Sequence, residues 1–354
     1  MGLLDQAIAR IEPQDQGSRD AARKRLEQLT MPFWALGRLM DLAVDLAGMT
    51  GSTRPSMQRR VVVTMAADHG VVEEGVSRYP QEVTPQMVNN FLHGGAGINA
   101  LARVAGAKVL VVDMGVAGQI GRIPPGAWFI SRRIASGTQN MARGPAMTRQ
   151  QAVDSLEVGI SIAMELAPDF DLLATGEMGI GNTTPSAAIA AVVTGASVEE
   201  VTGHGTGLDD DQFAHKISVI ERAIELNAPD PSDPIGVLSK VGGFEIGGIA
   251  GFILGCASSR KPVILDGFIC AAGALIAQAL CPNATQYMIA SHKSVEQGHS
   301  IALKKLGLKP LLDLDLRLGE GTGAALAMPM VEASARILTE VATFEEAGVS
   351  RAKQ

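Results

Sequence analysis

"FDLLATGEMGIGNTTPSAAIAAV", residues 170–192, is the stretch on which the fold turns. A short apolar run leads to Glu177, then to a cluster of Gly179, Gly181, Asn182 and Thr183. A small-residue helical pattern follows, in which Thr184 suits the cap and Pro185 the first turn. A strand that ends in a glycine-rich loop and feeds a helix is half of a βαβ unit. The same pattern recurs along the chain. "RRVVVTMAADHG" ends at Asp68, His69 and Gly70, "AKVLVVDMG" at Asp113, "KPVILDGF" at Asp266 and "TQYMIASHKS" at Ser291 and His292. "LLDLDLRLGEG" ends at Glu320. Near-continuous apolar strands alternating with helices imply an α/β fold, a parallel sheet covered by helices on both faces.

In such sheets ligands bind outside the carboxyl ends of the strands. The six polar clusters are therefore expected on one edge. Loops are polar for their own reasons, but six clusters carrying acid, histidine or glycine favour a site. The last is distinctive. In "LDLRLGEGTGAALAMP", residues 314–329, one carboxylate stands between two glycines where a strand turns into an alanine-rich helix. A surface carboxylate needs no such clearing, whereas one that lies beside a flat ligand does.

Helix signals fill the intervals. Thr148 is placed to cap "RQQAVDSLEVGISIAMEL", and "DDDQFAHKISVIERAIEL" opens with three aspartates, favourable at a helix N-terminus. "VEASARILTEVATFEEAG" reads as a final amphipathic helix. The first 50 residues also read as helical, so a small helical domain from residues 1–54 and 326–354 is expected beside a large α/β domain from 55–325.

Composition narrows the function. Hydrophobic residues make up 46% and charged residues 19%, with 40 glycines, the balance of a close-packed enzyme rather than a disordered chain. A formal charge of −7 argues against nucleic acid as partner. Cys256, Cys270 and Cys281 have no metal-ligand spacing and read as reduced thiols of a cytoplasmic protein. The start reads as polar and amphipathic rather than as a signal peptide, and no apolar run reaches the length of a membrane span.

The loops carry the chemistry. Gly179, Gly181, Asn182 and Thr183 leave backbone N–H groups at a positive helix end, a place for an anion or for tight packing. Glu177 favours the first. "TGHGTGLDDDQFAHK" is a second glycine loop, with Lys216 on the second turn of the helix, either reaching that anion or solvated. "LSKVGGFEIGGIAGFILG" reads as close helix packing. His69, His204 and His292 lack zinc-site spacing, so no metal cluster is expected. Asp68 and His69 are expected to form a hydrogen-bonded pair on the site floor. No G-x-S-x-G elbow is present.

Together these motifs resemble the nicotinate-nucleotide–dimethylbenzimidazole phosphoribosyltransferase family, from about Leu29 to Leu338. The resemblance rests on "AADHGVVEEGVSRYPQEVTPQMVNNFLHGGAGINALAR", "GEMGIGNTTPSAAIAAVVTG", "GTGLDD", "LSKVGGFEIGGIAG", "LDGFICAAGAL", "SHKSVEQG" and "LRLGEGTGAALAMPMVEA". It implies a Rossmann-like sheet with a small helical domain, assembled as a homodimer. It implies transfer of 5-phosphoribose from nicotinate mononucleotide to 5,6-dimethylbenzimidazole, without a cofactor. It assigns Glu320 as catalytic base and Glu177 as a second carboxylate on the ribose side. Gly179, Asn182, Thr183, Gly205, Lys216, Asp266, Gly267 and Ser294 fall on its nucleotide-binding stretches. Tyr79, Gln86, Met87 and Leu318 fall around its base pocket. One departure is plain: Met31, Trp34 and Ala35 stand in "MPFWALGRLMDLA" where members carry Lys, Gly and Ser. Tyr79 replaces the small residue of some relatives. The alternatives are the same chemistry with another lower-ligand base, such as adenine, another benzimidazole or a phenol, and a non-catalytic nicotinate mononucleotide-binding protein.

Overall fold

In a computed structural model describing residues 2–203 and 209–351, six strands form one all-parallel sheet. They are β1 (Arg60–Ala67), β2 (Ala107–Gly115), β3 (Phe129–Ser131), β4 (Leu172–Met178), β5 (Val263–Leu265) and β6 (Met288–Ala290). Their order is β3-β2-β1-β4-β5-β6, so the chain winds outward from β1 in one direction and from β4 in the other. The reversal leaves a crevice beyond the carboxyl ends of β1 and β4, where doubly wound sheets bind ligands. The expected α/β class and parallel sheet are what the chain forms.

One expected strand lies elsewhere. "LLDLDL" is β8 (Leu312–Leu316), and it pairs with β7 (His292–Ser294) in a separate two-stranded parallel ribbon. The sixth place in the main sheet goes to β3, an edge strand in "WFIS" whose residues are half-buried or exposed and so lack the apolar run of the buried strands.

β1 and β4 are buried on both faces, as their unbroken apolar runs require. Side chains three residues apart on a strand point to opposite faces. Val62 accordingly faces Gly321 at the head of the helix Thr322–Glu340, while the Met65 sulfur faces Gly248 in the helix Phe244–Ser258. That second helix lies against the helix Arg149–Leu166 with backbones almost touching. A methyl group at Gly159 would overlap the Gly248 carbonyl oxygen. The glycines of "FEIGGIAG" are thus packing residues. A smaller apolar cluster joins Ala22, Leu26, Leu29, Met40, Ala43, Val44, Ala47 and Leu338, with Trp34 and Met31 against it. The helix Thr322–Glu340 runs unbroken past residue 326, and the final apolar pattern is two helices, the second being Phe344–Ala347. None of the described helices is long and apolar enough to cross a membrane.

Capping follows local chemistry. Thr148 Oγ1 accepts from the Gln151 N–H at 3.1 Å, and Asp209 Oδ1 from the Gln212 N–H at 2.9 Å. At the β4 loop the cap is Asn182 rather than Thr184, and the helix runs Thr183–Thr194. Thr184 is buried one position inside it.

Candidate active site

Buried carboxyl groups gather where the strand order reverses. Glu177 is the penultimate residue of β4 and is buried, its carboxylate accepting a hydrogen bond from Asn182 Nδ2. Asp266 follows β5 and is also buried. Its two oxygens accept the N–H groups of Gly321 and Ala324 at 3.0 Å each, and the Gly323 N–H adds to them. Asp266 therefore caps the helix Thr322–Glu340 and fixes the loop before it.

That loop carries Glu320, which is 5% exposed. Gly319, Glu320 and Gly321 are wound left-handed in succession, with φ of 84°, 66° and 98°. Glycine adopts this conformation freely, and a glutamate in it is strained. The tertiary bonds holding it are specific. Thr64 Oγ1 donates to the Glu320 carbonyl at 3.0 Å, and the Glu320 N–H donates to the Glu177 carboxylate. The backbone lies directly on β4, since a methyl group at Gly176 would overlap the Glu320 carbonyl oxygen. The Glu320 side chain turns the other way, to the start of the helix Gly97–Ala105, where Oε2 accepts the Ile98 N–H at 3.0 Å.

The electrostatics follow from burial. Desolvation pushes the Glu177 carboxyl up to about 8, against the pull of the Asn182 hydrogen bond. It pushes Asp266 up to about 7 despite its backbone bonds. Burial also raises Glu320, while the Ile98 and Gly97 N–H groups pull it back. Among the described residues, Glu320 forms no ion pair, and its carboxylate is held by backbone N–H groups.

On the other side of the crevice, Lys216 is buried rather than solvated. Its Nζ donates to Thr183 Oγ1 at 2.8 Å and to the Gly203 carbonyl at 3.4 Å. Burial holds its amine down at about 8, even with Glu296 nearby. Ser294, at the end of β7, gives its N–H to His299 Nδ1 at 3.0 Å, and its Oγ accepts the Glu296 N–H. Gly267 lies beside the His292 ring. Hydrogen bonds and chain adjacency thus join Lys216, Thr183, Asn182, Glu177 and Glu320. Asp266, next to Gly267, holds the same loop, and Ser294 reaches Lys216 through Glu296. Gly205 lies outside the described residues, as does His204.

The residues expected around a base are more open. Leu318 is 62% and Tyr79 52% exposed, Gln86 is exposed and Met87 half-buried. Gln86 and Met87 lie on the helix Val83–Leu92, which docks on the glycine loop where Thr84 Oγ1 accepts the Ile180 N–H at 3.1 Å.

Two features escape sequence reasoning. His69 does not pair with Asp68. Its Nε2 lies 2.7 Å from Glu245 Oε1, both side chains being buried, while Asp68 accepts the Ala117 N–H at 2.7 Å. Burial disfavours the imidazolium, but the charges of Glu245 and Asp68 outweigh it and raise the His69 pKa. Glu245 hides in a glycine-rich segment that reads as packing, 176 residues from its partner. The second feature is the helix start at Gly97 and Ile98, whose one signal is "GGAGIN".

A crevice of this kind, with buried carboxyls at the switch point and a lysine behind a glycine loop, suits a small phosphorylated substrate. A family model described as phosphoribosyltransferase matches residues 11–349, which makes the chain an enzyme of that class. A protein of Syntrophotalea carbinolica named nicotinate-nucleotide–dimethylbenzimidazole phosphoribosyltransferase is 62% identical over 353 residues, covering 100% of both chains. One of the same name from Desulforamulus reducens is 56% identical over 355 residues, covering 99% of this chain and 100% of that one. The crystal structure of the protein so named from Thermus thermophilus superposes with a TM-score of 0.89 at 46% identity, covering 96% of this chain and 100% of that one. The chain belongs to the nicotinate-nucleotide–dimethylbenzimidazole phosphoribosyltransferase family.

Proposed function

We propose that this chain transfers the 5-phosphoribosyl group of nicotinate mononucleotide to 5,6-dimethylbenzimidazole, with inversion at C1′ and Glu320 as general base. The unprotonated ring nitrogen of the acceptor attacks C1′ from the face opposite nicotinate. The bond from C1′ to the pyridinium nitrogen breaks, and its electron pair leaves nicotinate neutral at that nitrogen. No proton has to reach the leaving group. The acceptor's other nitrogen must lose its proton, and a positioned carboxylate takes it. Attack from the far face gives the α-linked product, α-ribazole 5′-phosphate.

The observation that carries this reading is the state of Glu320. It is a buried carboxylate held by backbone N–H groups, without a neutralising cation among the described residues. Such a group is more basic than a solvated glutamate. Glu177 belongs to the ribose side, where a carboxyl poised near neutrality adjusts its ionisation to a cationic donor. Lys216 and the glycine loop hold the phosphate, the two chains acting as a homodimer in the cytoplasm.

Incubation with nicotinate mononucleotide and dimethylbenzimidazole is expected to release nicotinate, and Glu320→Gln to lower turnover by about 10²–10⁴-fold with both substrates still bound. Near-normal turnover in that variant would rule out Glu320 as the base. Competition among mixed acceptors tests the choice of dimethylbenzimidazole. Tight nucleotide binding with no release for any acceptor would mark a binding protein instead.

A further inference from the structure

We infer that the N-terminus of the helix Gly97–Ala105 is the positioning element for the base, with Gly97 as the residue that makes room for it. This rests on the reading of Glu320 as base. The Ile98 N–H binds Glu320 Oε2 at 3.0 Å, and the Gly97 N–H acts on the same carboxylate. Both belong to the first turn of a nine-residue helix, whose free N–H groups and dipole favour a negative charge. One oxygen is thereby fixed, and Oε1 is the atom that takes the acceptor proton.

Space is as tight as the hydrogen bonding. A methyl group at position 97 would stand 2.8 Å from Leu318 Cδ2, 3.2 Å from Glu320 Oε2 and 3.6 Å from Thr322 Cγ2. Gly97 thus touches the base, its neighbour two residues before and the first residue of the following helix. It is the point where the helix start and the left-handed loop meet. Other titratable groups near Glu320 are the carboxyls of Glu177 and Asp266 and the His292 imidazole, whose ring packs on Gly323 and whose charged form burial disfavours. Glu177 accepts the Glu320 N–H from β4, and Asp266 caps Gly321 from the end of β5. Neither supplies positive charge. Among the described residues, the helix start is therefore what offsets the cost of ionising Glu320 in a buried place.

Gly97→Ala is expected to displace the carboxylate from these donors. The acid limb of kcat/KM then moves up by about one pH unit, because the ionised form has lost hydrogen bonds. Turnover falls by about tenfold or more, while KM for the nucleotide donor is unchanged. An unmoved acid limb in a folded Gly97→Ala variant would overturn the inference. Amide NMR of the unaltered protein tests it without relying on that variant. The Gly97 and Ile98 N–H resonances are expected to follow one titration above the ordinary glutamate range, absent in Glu320→Gln. If neither resonance titrates, the inference fails. Should Glu320→Gln retain turnover while the amides do titrate, the base assignment fails and the hydrogen bonds stand.

Discussion

Glu320 combines two costs, a left-handed backbone and a carboxyl removed from water. Both are tolerated because neighbouring groups over-determine its place: Thr64 on its carbonyl, Glu177 on its N–H, Ile98 on its carboxylate. Its basicity has a direct kinetic signature. A base works in its ionised form, so kcat/KM rises with pH through the Glu320 pKa. Burial places that midpoint above the ordinary glutamate value. A pH–rate profile is expected to show this limb, and the residual rate of Glu320→Gln to lack it. Glu177 differs. Its carboxyl, pushed to about 8, is mostly protonated at neutral pH without substrate, so Glu177→Gln resembles the resting state in charge. That variant is expected to keep or raise the melting temperature while losing activity. A large drop in melting temperature would show that the ionised form is what holds the fold.

At the scale of elements, Lys216 shows what burying a cation costs. Its amine is buried and depressed to about 8, so the folded chain binds fewer protons than the unfolded one between that pH and the ordinary lysine value. Stability therefore rises with pH across that window. Lys216→Met is expected to stabilise the ligand-free protein by about 1–3 kcal/mol, and to weaken the nucleotide donor. Denaturation with and without nicotinate mononucleotide measures both. The paired helices make the opposite case. Gly159→Ala forces a methyl group into the Gly248 carbonyl and is expected to cost about 2–3 kcal/mol, read from the urea midpoint. These helices were legible because a run such as "FEIGGIAG" has small residues at helical spacing. So were five strands of the main sheet, whose apolar runs reflect burial on both faces. β3 was not legible, because at the sheet edge its residues are half-buried or exposed and form no buried apolar run like those of β5 and β6, which are equally short. β8 had a legible alternation, but its partner did not: pairing depends on where the chain returns, which a local pattern does not encode. For the same reason Glu320 and Glu177 stood out, each beside glycines, whereas the contact between Glu245 and His69 left no local trace.

For the molecule as a whole, buried ionisable groups set the pH dependence of stability. Glu177, Asp266 and Glu320 have raised pKa values, and so has His69. A group whose folded pKa is raised contributes stability that is present below its unfolded pKa and is lost as pH climbs through the folded one. The carboxyls act from about pH 4.5 and His69 joins them above about 6.5, whereas His299 and His292, which burial holds below the ordinary imidazole value, act the other way up to about 6.5. The stability of the ligand-free protein is therefore expected to fall between about pH 6.5 and 8, by about a few kcal/mol. Scanning calorimetry from pH 6.5 to 8 tests it, and a flat or rising curve would mean that these carboxyls sit in a wetter site. Bound nucleotide and acceptor, by supplying cationic and hydrogen-bonding partners, are expected to flatten the slope.

The two-stranded ribbon of β7 and β8 has a consequence for how such an enzyme diversifies. The residues assigned to phosphoribose hang mostly from the six-stranded sheet and its helices, whereas Leu318 and Glu320 leave from β8, much of which is open to solvent. On the proposed reading, the grip on the sugar and the jaw for the heterocycle are mounted largely on different frames, with Ser294 on β7 the one that shares the ribbon. Randomising Leu314 and Leu318, with Leu316 kept opposite Ser294, offers a route to new nucleoside linkages in which donor recognition is expected to be inherited.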